Sequence, residues 1–222
     1  MRTLAIGDIH GCHTSLLALL AVARPAAGDR VVFLGDYIDR GSASRSVLEW
    51  VVAPARAYST MFVRGNHEEM MIEAQKDRGK ADAWLDFGGT ETLASYATEN
   101  RPDWAAAIPP AHWRFLKLTL PFFVTKQHIF VHAGLDPDLD MQDQPRRLLY
   151  WGDFEAIKPH KSGKKIICGH SLQRSGQISD VGFAACIETG AAFGGWLTCL
   201  DVDSGEFWQA NERGETRAGS LG

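Results

Sequence analysis

The chain has 222 residues, of which 45% are hydrophobic and 23% are charged, and its formal net charge is -4 at pH 7. This composition is typical of a globular domain and excludes a disordered or fibrous chain. The slightly negative charge gives no electrostatic reason to expect nucleic acid or an anionic membrane as a partner, so any phosphate group must be held by local cations or metals.

The first third of the chain alternates short apolar runs with helical patterns. Strands are predicted at residues 3–6, 31–34 and 61–63, and helices at about residues 14–23 and 43–52. Pro54 follows the second helix and is expected to end it. The order strand-helix-strand-helix-strand predicts a partly parallel sheet.

A helical region rich in aromatic residues follows, and we expect it to be an insertion on the substrate side of the domain at about residues 68–120. Helices are predicted within it at residues 68–76, 81–87, 90–98 and 111–118. Two hypotheses remain for its aromatic side chains: they fill a small satellite core, or some of them face the functional site as a cap over the substrate. The residues concerned are Trp84, Phe87, Tyr96, Trp104 and Trp113.

From residue 121 onward the pattern changes to strands. They are predicted at residues 122–124, 128–131, 165–167, 183–187 and 196–202, with a hairpin turn at 203–205 leading into 206–210. With no internal repeat and no low-complexity linker, residues 1–210 are expected to form one domain. The polar tail at 211–222 is expected to fray or to lie along the surface.

Nothing in the sequence indicates a membrane or an oxidising compartment. No segment approaches the roughly 20 apolar residues of a membrane span, and the N-terminal run Leu4-Ala5-Ile6 is too short for a signal peptide. The four cysteines are scattered and form no Cys-x-x-Cys pair. We therefore expect a reduced, cytoplasmic protein without membrane or nucleic-acid partners, and the sequence leaves the oligomeric state open.

Five short segments combine metal-binding side chains with glycine turns. They are Gly7-Asp8-Ile9-His10-Gly11, Gly35-Asp36-Tyr37-Ile38-Asp39-Arg40-Gly41, Arg64-Gly65-Asn66-His67-Glu68, His132-Ala133-Gly134 and Cys168-Gly169-His170. The first three each follow a predicted strand, and open α/β sheets build their sites where strands end. The segments offer two aspartates, one asparagine and three histidines as metal ligands, a set that suits a two-metal phosphoester hydrolase: Asp8, His10, Asp36, Asn66, His132 and His170.

Two divalent cations held about 3.5–4 Å apart can generate a hydroxide and clamp both oxygens of an in-line displacement at phosphorus. One carboxylate should bridge such cations and offset their repulsion, and Asp36 is the candidate. Asp8 and His10 are two residues apart on an extended turn, so their side chains project to the same side. Imidazole, carboxylate and amide ligands suit Mn²⁺, Fe²⁺ or Zn²⁺ better than Ca²⁺.

In their order and residue identities, these segments resemble the motifs of the phosphoprotein phosphatase family of metallophosphoesterases, specifically its bacterial serine/threonine phosphatase branch. The resemblance implies an α/β fold of two packed mixed β-sheets flanked by helices, the calcineurin-like metallophosphoesterase fold, and two divalent ions, usually Mn²⁺ in the bacterial members. It assigns Asp8, His10 and Asp36 to the first metal. The second metal is completed by Asn66, His132 and His170.

The resemblance also assigns four residues to the reaction. His67 is left without a metal and is expected to act as the general acid, with Asp39 orienting it. The alternative for Asp39 is a turn-capping carboxylate paired with Arg40. Arg40 and Arg64 are expected to clamp the phosphate, the alternative for Arg64 being a surface ion pair. Glu68 is expected to support the site or to supply negative charge at a helix N-terminus.

One position departs from the family. Many bacterial relatives carry a Trp followed within a residue or two by an Arg that contacts phosphate, whereas Trp151 is followed here by Gly152-Asp153. Arg146, Arg147 and Arg174 are the nearby candidates to compensate, and the sequence does not rank them.

Three classes of function compete. The leading hypothesis is a phosphomonoesterase that removes phosphate from phosphoserine or phosphothreonine in proteins, and from phosphotyrosine as a further option, by attack of a hydroxide bridging both metals. The rival is a diadenosine tetraphosphate hydrolase or other small-molecule phosphatase, whose opening motif is near-identical through Gly11-Cys12. Asp39 favours the first, because symmetrical tetraphosphatases usually place Asn there. A non-catalytic scaffold would need a lost catalytic position, and none is lost.

Overall fold

Two mixed β-sheets face each other at the centre of the molecule in the computed structural model, which describes residues 1–53, 56–98 and 101–221. The strands in chain order are β1 (Thr3–Ile6), β2 (Arg30–Phe33), β3 (Ser59–Phe62), β4 (Phe123–Val124), β5 (His128–Phe130), β6 (Lys165–Cys168), β7 (Ser179–Asp180), β8 (Ala184–Cys186), β9 (Glu188–Thr189), β10 (Trp196–Asp201), β11 (Glu206–Ala210) and β12 (Thr216–Ser220). The larger sheet has the order β12-β11-β10-β1-β2-β3, with β9 also paired to β10. The smaller sheet has the order β4-β5-β6-β8-β7.

Helices cover the outer faces of both sheets. In the described ranges they are α1 (His13–Ala23), α2 (Ser44–Val52), α3 (Asn66–Ala74), α4 (Arg78–Trp84), α5 (Thr90–Ser95), α6 (Trp104–Ala107), α7 (Pro110–Leu118) and α8 (Arg146–Trp151). The predicted helices are present with shifted ends, whereas α6 and α8 were not predicted. Pro54, expected to end α2, lies outside the described residues. None of these helices is long and apolar enough to cross a membrane.

Side chains that alternate between the two faces of each strand explain how the sheets pack. Ala5 of β1 and Ile167 of β6 belong to one buried cluster between the two sheets. Leu4, the preceding residue of β1, points the other way and shares a cluster with Leu16 of α1. A third cluster lies between the smaller sheet and α8. The expected architecture, two packed mixed sheets flanked by helices, is confirmed.

Each of the five glycine motifs begins where a strand ends. The segments at residues 7–11, 35–41 and 64–68 follow β1, β2 and β3, which run parallel to one another. The segments at 132–134 and 168–170 follow β5 and the end of β6, which are also parallel. Because the carboxyl ends of parallel strands share one edge of a sheet, this topology gathers the polar side chains of all five motifs.

The aromatic residues of the helical region do not form a satellite core. Trp84, Tyr96 and Trp113 are buried in the same cluster as α1 and the larger sheet, and Trp104 packs against that cluster. The hypothesis of a separate small core was therefore wrong, because α5 and α7 pack on α2 and α4 packs on α3, which places these rings on the main core. Phe87 is the exception, since its side chain is 47% exposed.

The C-terminal segment lies along the surface and does not fray. Residues 216–220 pair with β11 as an antiparallel edge strand, with Ala218 opposite Trp208. Most of this strand is exposed, which explains why its sequence is polar. Gly222 lies outside the described residues.

The turns after β1 and β2 touch backbone to backbone at Gly41. A Cβ atom at this position would lie 2.1 Å from the carbonyl oxygen of His10. We expect Gly41→Ala to lower the free energy of unfolding by about 1–3 kcal/mol, the range for forcing extra volume into a packed site. Urea denaturation measures this change.

Gly79→Ala is the control for this prediction. Gly79 lies in α4, and its added Cβ would be 3.5 Å from the nearest atom, the Oδ1 of Asp77. Alanine should be neutral or stabilising there, because it is the better helix former. An unchanged unfolding midpoint for Gly41→Ala would contradict the close approach of the two turns.

Candidate metal centre

The carboxylate of Asp36 lies at the middle of a group of imidazole rings. Its Oδ2 atom is 3.3 Å from Nε2 of His10, 3.5 Å from Nε2 of His132 and 3.9 Å from Nε2 of His67. Burial by itself would raise the pKa of Asp36, but the neighbouring His132, His67 and His10 outweigh it and hold this pKa below its usual range. This direction favours the ionised form of Asp36.

Glu68 fixes the backbone around Asp36. Its fully buried carboxylate accepts hydrogen bonds from the backbone N–H groups of Asp36, Tyr37 and Gly65, at 2.8–2.9 Å. The side chain thus joins the turn after β2 to the start of α3. The expectation that Glu68 supports the site is consistent with these three contacts, and no metal ligand role is needed for it.

Two of the histidines present a lone pair to Asp36. Nδ1 of His10 lies 2.9 Å from the carbonyl oxygen of Ile38, and Nδ1 of His132 lies 2.9 Å from that of Leu34. Because a carbonyl oxygen only accepts, Nδ1 carries the proton in both rings and Nε2 is unprotonated. Nη1 of Arg40 lies 2.8 Å from Nε2 of His10, and the side-chain amide of Asn66 lies 2.9 Å from Nε2 of His132. Burial lowers the pKa of His10 to about 3, which keeps that ring neutral. Metal-binding histidines commonly have this arrangement.

The remaining predicted ligands adjoin the same group. Oδ1 of Asn66 lies 2.9 Å from Nε2 of His132 and 3.2 Å from Nδ1 of His170. The backbone N–H of His170 donates to Oδ2 of Asp8 at 2.9 Å. Burial, followed by the repulsion from Glu188, raises the pKa of Asp8 well above its usual value. All six predicted metal ligands are thus brought together from the five motifs.

The group divides into two overlapping sets of possible ligands. One contains His10, Asp36 and His67, and the other contains Asp36, His132 and His170, with the ligand atoms of each set within 4.8 Å of one another. Asp36 belongs to both sets, as a bridging carboxylate must. The first set includes His67 and not Asp8, which differs from the arrangement expected from the motifs.

Two buried polar atoms of the cluster have no hydrogen-bond partner among the described residues, Oδ1 of Asp8 and Nε2 of His67. Leaving a buried polar atom unpaired costs about 1–3 kcal/mol. Oδ1 of Asp8 lies against Gly169, where a Cβ would be only 2.0 Å away. A cation bound beside Asp8 would give this unpaired oxygen a partner, so the residues present fit the divalent ions that the motifs predict.

His67 and Asp39 form a hydrogen-bonded pair. Nδ1 of His67 lies 2.7 Å from Oδ2 of Asp39, and both side chains are buried. Burial alone would lower the pKa of His67, but Asp36 and Asp39 together raise it above its usual value. The imidazole therefore retains a proton more readily than a free histidine, with Nδ1 directed at Asp39 and Nε2 at the cluster.

Two residues of the helical region complete the environment of Asp39: Trp84, one of the five aromatic residues named in the sequence analysis, and Thr92, which the sequence analysis did not single out. Nε1 of Trp84 donates to Oδ2 of Asp39 at 2.8 Å, and Oγ1 of Thr92 donates to Oδ1 at 2.6 Å. They lie 45 and 53 residues beyond Asp39 in the chain. No motif marked them, because the helical region carries the weakest part of the family resemblance.

The two predicted phosphate clamps are directed differently. Nη1 of Arg40 lies 2.8 Å from Nε2 of His10, at the edge of the cluster. Arg64 uses its Nε and Nη2 atoms on the hydroxyl of Thr119 and the carbonyl oxygen of Lys117, both at 2.9 Å, and its Nη1 on Glu69. Carbonyl groups at a helix end attract cations, so Arg64 caps α7 and the structure directs only Arg40 at the cluster.

Close packing explains why a glycine, Gly152, follows Trp151. A Cβ on Gly152 would lie 2.7 Å from the carbonyl oxygen of Leu148 and 2.8 Å from Cα of Gly134. The end of α8 therefore touches the His132 turn through two glycines.

Of the candidates for the missing arginine, Arg146 forms an ion pair with Glu69, Arg147 is exposed, and Arg174 lines a 290 Å³ cavity beside Phe193.

Comparison with known proteins identifies relatives across almost the whole chain. The chain is 29% identical over 221 residues to serine/threonine-protein phosphatase 1 of Salmonella typhimurium, covering 89% of this chain and 90% of that protein. It is also 29% identical over 170 residues to the symmetrical bis(5'-nucleosyl)-tetraphosphatase of Methylobacillus flagellatus, covering 73% of this chain and 56% of that protein.

Solved structures agree on the fold. A cold-active protein-tyrosine phosphatase of a psychrophilic Shewanella species superposes with a TM-score of 0.68 at 15% identity, over 98% of this chain and 80% of that chain. Residues 1–192 match the family model described as calcineurin-like phosphoesterase, which spans all five motifs. The chain therefore belongs to the calcineurin-like phosphoesterase family of metal-dependent hydrolases.

Proposed function

We propose that this protein is a phosphomonoesterase that removes phosphate from phosphoserine and phosphothreonine residues of proteins. The observation that carries this proposal is the His67–Asp39 pair, which directs an unpartnered Nε2 atom at the Asp36 cluster with Arg40 beside it. A proton donor, a phosphate-binding cation and a set of metal ligands are the parts that cleavage of a phosphate ester with a poor leaving group requires. The serine/threonine phosphatase relative, aligned over 90% of its length, supports the same substrate class.

Two divalent cations, for which Mn²⁺ is our choice and Fe²⁺ or Zn²⁺ the alternatives, supply an activated water and Lewis-acid stabilisation when bound. Asp36 would bridge them, with Asp8 and His10 on one side of it. Asn66, His132 and His170 would hold the other ion, since each offers one N or O atom beside Asp36 or its neighbours.

The protein's own groups then act on the phosphate ester. Arg40 binds the phosphate oxygens and stabilises the charge that develops on them in the transition state. His67 holds a proton on Nε2 when it is charged, and it passes this proton to the leaving oxygen as the P–O bond breaks. Asp39 orients the ring through Nδ1 and stabilises its charged form.

A dinucleoside tetraphosphate hydrolase is the second candidate. The relative from Methylobacillus flagellatus is a symmetrical tetraphosphatase, and it is as identical to this chain as the protein phosphatase, at 29%. The chain spans 56% of that relative, compared with 90% of the protein phosphatase. The same cluster can serve either substrate. The greater share of the protein phosphatase that the chain spans favours the protein substrate, and the kinetic comparison below distinguishes the two.

The experiment is a comparison of kcat/KM on a phosphoserine or phosphothreonine peptide and on diadenosine tetraphosphate, each with added Mn²⁺, and Asp36→Asn as the blank. Faster peptide hydrolysis is the expected result. Faster hydrolysis of the dinucleotide would replace the proposed substrate with the second candidate. Equal rates for the wild-type protein and Asp36→Asn would contradict both.

The role of His67 predicts a dependence on the leaving group. His67→Asn should lower kcat by roughly 10²–10⁴-fold on a phosphoserine peptide, the range typical of general acid catalysis. The loss should be smaller on nitrophenyl phosphate, because nitrophenolate hardly needs a proton. Steady-state kinetics on the two esters measures the difference, and equal losses on both would count against proton donation by His67.

Trp84 should act on His67 through Asp39. Trp84→Phe removes the N–H donor and keeps an aromatic ring, so we expect kcat on the phosphoserine peptide to fall about tenfold, as for other partners that orient a functional group. The fall should again be smaller on nitrophenyl phosphate. Trp104→Phe is the matched control, since the Trp104 ring lies 5.1 Å from the Trp84 ring in the same core. The same loss in both variants would reduce Trp84 to a packing residue.

A further inference from the structure

His170 lies at the centre of a strained turn. The backbone N–H of Ser171 donates to the carbonyl oxygen of Gly169 at 2.7 Å, so three residues close a turn around His170. The φ angle of His170 is 61°. A three-residue turn with a positive φ at its middle residue is the rare and strained form of γ-turn. Such a conformation persists only where the surrounding structure fixes it.

Two other motifs of the cluster fix the N–H side of this turn. The backbone N–H of His170 donates to Oδ2 of Asp8 at 2.9 Å. The backbone N–H of Gly169 donates to the carbonyl oxygen of His132 at 2.8 Å. Both contacts hold N–H groups, and they leave the carbonyl side of the turn to be fixed by another residue.

The thiol of Cys186 contacts the carbonyl side. Its single S–H group is shared between the carbonyl oxygens of Gly169 and Ser171, each 3.2 Å from Sγ. The other hydrogen bonds to these two oxygens come from the same segment of chain, from the backbone N–H of Ser171 and the side chain of Gln173. Among the described residues, Cys186 is thus the one donor from outside this segment that joins both ends of the turn.

The smaller sheet places Cys186 beside the turn. Strand β8 runs parallel to β6, and Cys186, the last residue of β8, lies opposite Cys168, the last residue of β6. The His170 turn follows Cys168 directly, so the thiol of Cys186 reaches it. Cys186 is fully buried and forms no disulfide. An aliphatic side chain would also fill this space, but it would supply no donor to the two carbonyl groups.

We propose that Cys186 is a positioning residue for His170, and that its thiol sets the affinity of the ion that His170 would hold. This inference rests on the two-ion centre of the proposed function. The imidazole of His170 belongs to the same set of possible ligands as Asp36 only while the turn keeps its present shape. Removing a group that orients a metal ligand commonly weakens metal binding by about 10–100-fold. The thiol acts through the backbone of the turn and takes no part in the reaction itself.

The test compares Mn²⁺ binding by the wild-type protein, Cys186→Ala and Cys186→Ser. Electron paramagnetic resonance measures the free Mn²⁺ during titration of each metal-free protein, which gives the number of bound ions and their Kd values. Cys186→Ala removes the donor, so we expect the Kd of one ion to rise about 10–100-fold, while the ion on the Asp8 side binds nearly as before. Cys186→Ser keeps a hydroxyl donor and should restore most of the affinity.

Cys199→Ala is the matched control. Cys199 is an equally buried free cysteine of β10, in the cluster on the α1 side of the larger sheet, so its loss should leave both Kd values unchanged. Urea denaturation of the metal-free proteins measures the change in the free energy of unfolding separately from metal affinity. If Cys186→Ala does not fold, Cys186→Val carries the same prediction, because valine fills the space of the thiol and has no donor.

Wild-type Mn²⁺ affinity in Cys186→Ala would overturn the inference. Equal weakening in Cys186→Ala and Cys186→Ser would assign the effect to packing and overturn it as well, and so would equal weakening in Cys199→Ala. Fewer than two ions in the wild-type protein would contradict the metal centre, and the inference with it. Weaker binding in Cys186→Ala with recovery in Cys186→Ser supports the inference whatever the substrate. Failure of the wild-type protein to hydrolyse the phosphopeptide would contradict only the proposed function.

Discussion

A buried carboxylate among imidazole rings is the feature on which the rest of this protein depends. Asp36 is 1% exposed and lies within 4 Å of three histidine nitrogens. Such a group is expensive to bury unless opposite charge or hydrogen bonds balance it. Glu68 accepts three N–H groups and thereby joins the turn that carries Asp36 to the start of α3. The parallel strands of the two sheets bring the five motifs together. The fold thus concentrates negative charge and lone pairs at one place, which is the requirement for holding two cations.

The same place concentrates backbone strain. Among the described residues, seven other than glycine have a positive φ, and five of them belong to the site: His10, Asp36, Asp39, Arg40 and His170. A left-handed backbone costs a residue with a side chain about 1–3 kcal/mol. The turns keep these conformations because neighbouring turns interlock, as where Gly41 approaches the carbonyl oxygen of His10. Rigid turns in turn hold the functional side chains in fixed relative positions.

Much of the site could be predicted from the sequence because its ligands sit in local motifs that follow strands. All six predicted metal ligands lie together, and the pairing of His67 with Asp39 is present. Sequence reasoning did not predict the contacts of Trp84 and Thr92 with Asp39, because they depend on how distant helices pack. It also placed Arg64 at the phosphate, whereas the guanidinium of Arg64 binds carbonyl groups at the end of α7, which is remote in sequence. The paired edge strand at 216–220 was missed because its polar residues give no apolar alternation.

The central claim is that Asp36 joins two cation sites. The most direct measurement is the Mn²⁺ content of the protein after equilibrium dialysis, determined by elemental analysis, for the wild type, for Asp36→Asn and for Asp29→Asn. Asp29 is a buried aspartate paired with Arg2, so it controls for loss of an ordinary carboxylate. The account predicts two ions per chain in the wild type and in Asp29→Asn, and one or none in Asp36→Asn. Two ions retained by Asp36→Asn, or fewer than two in the wild type, would contradict it.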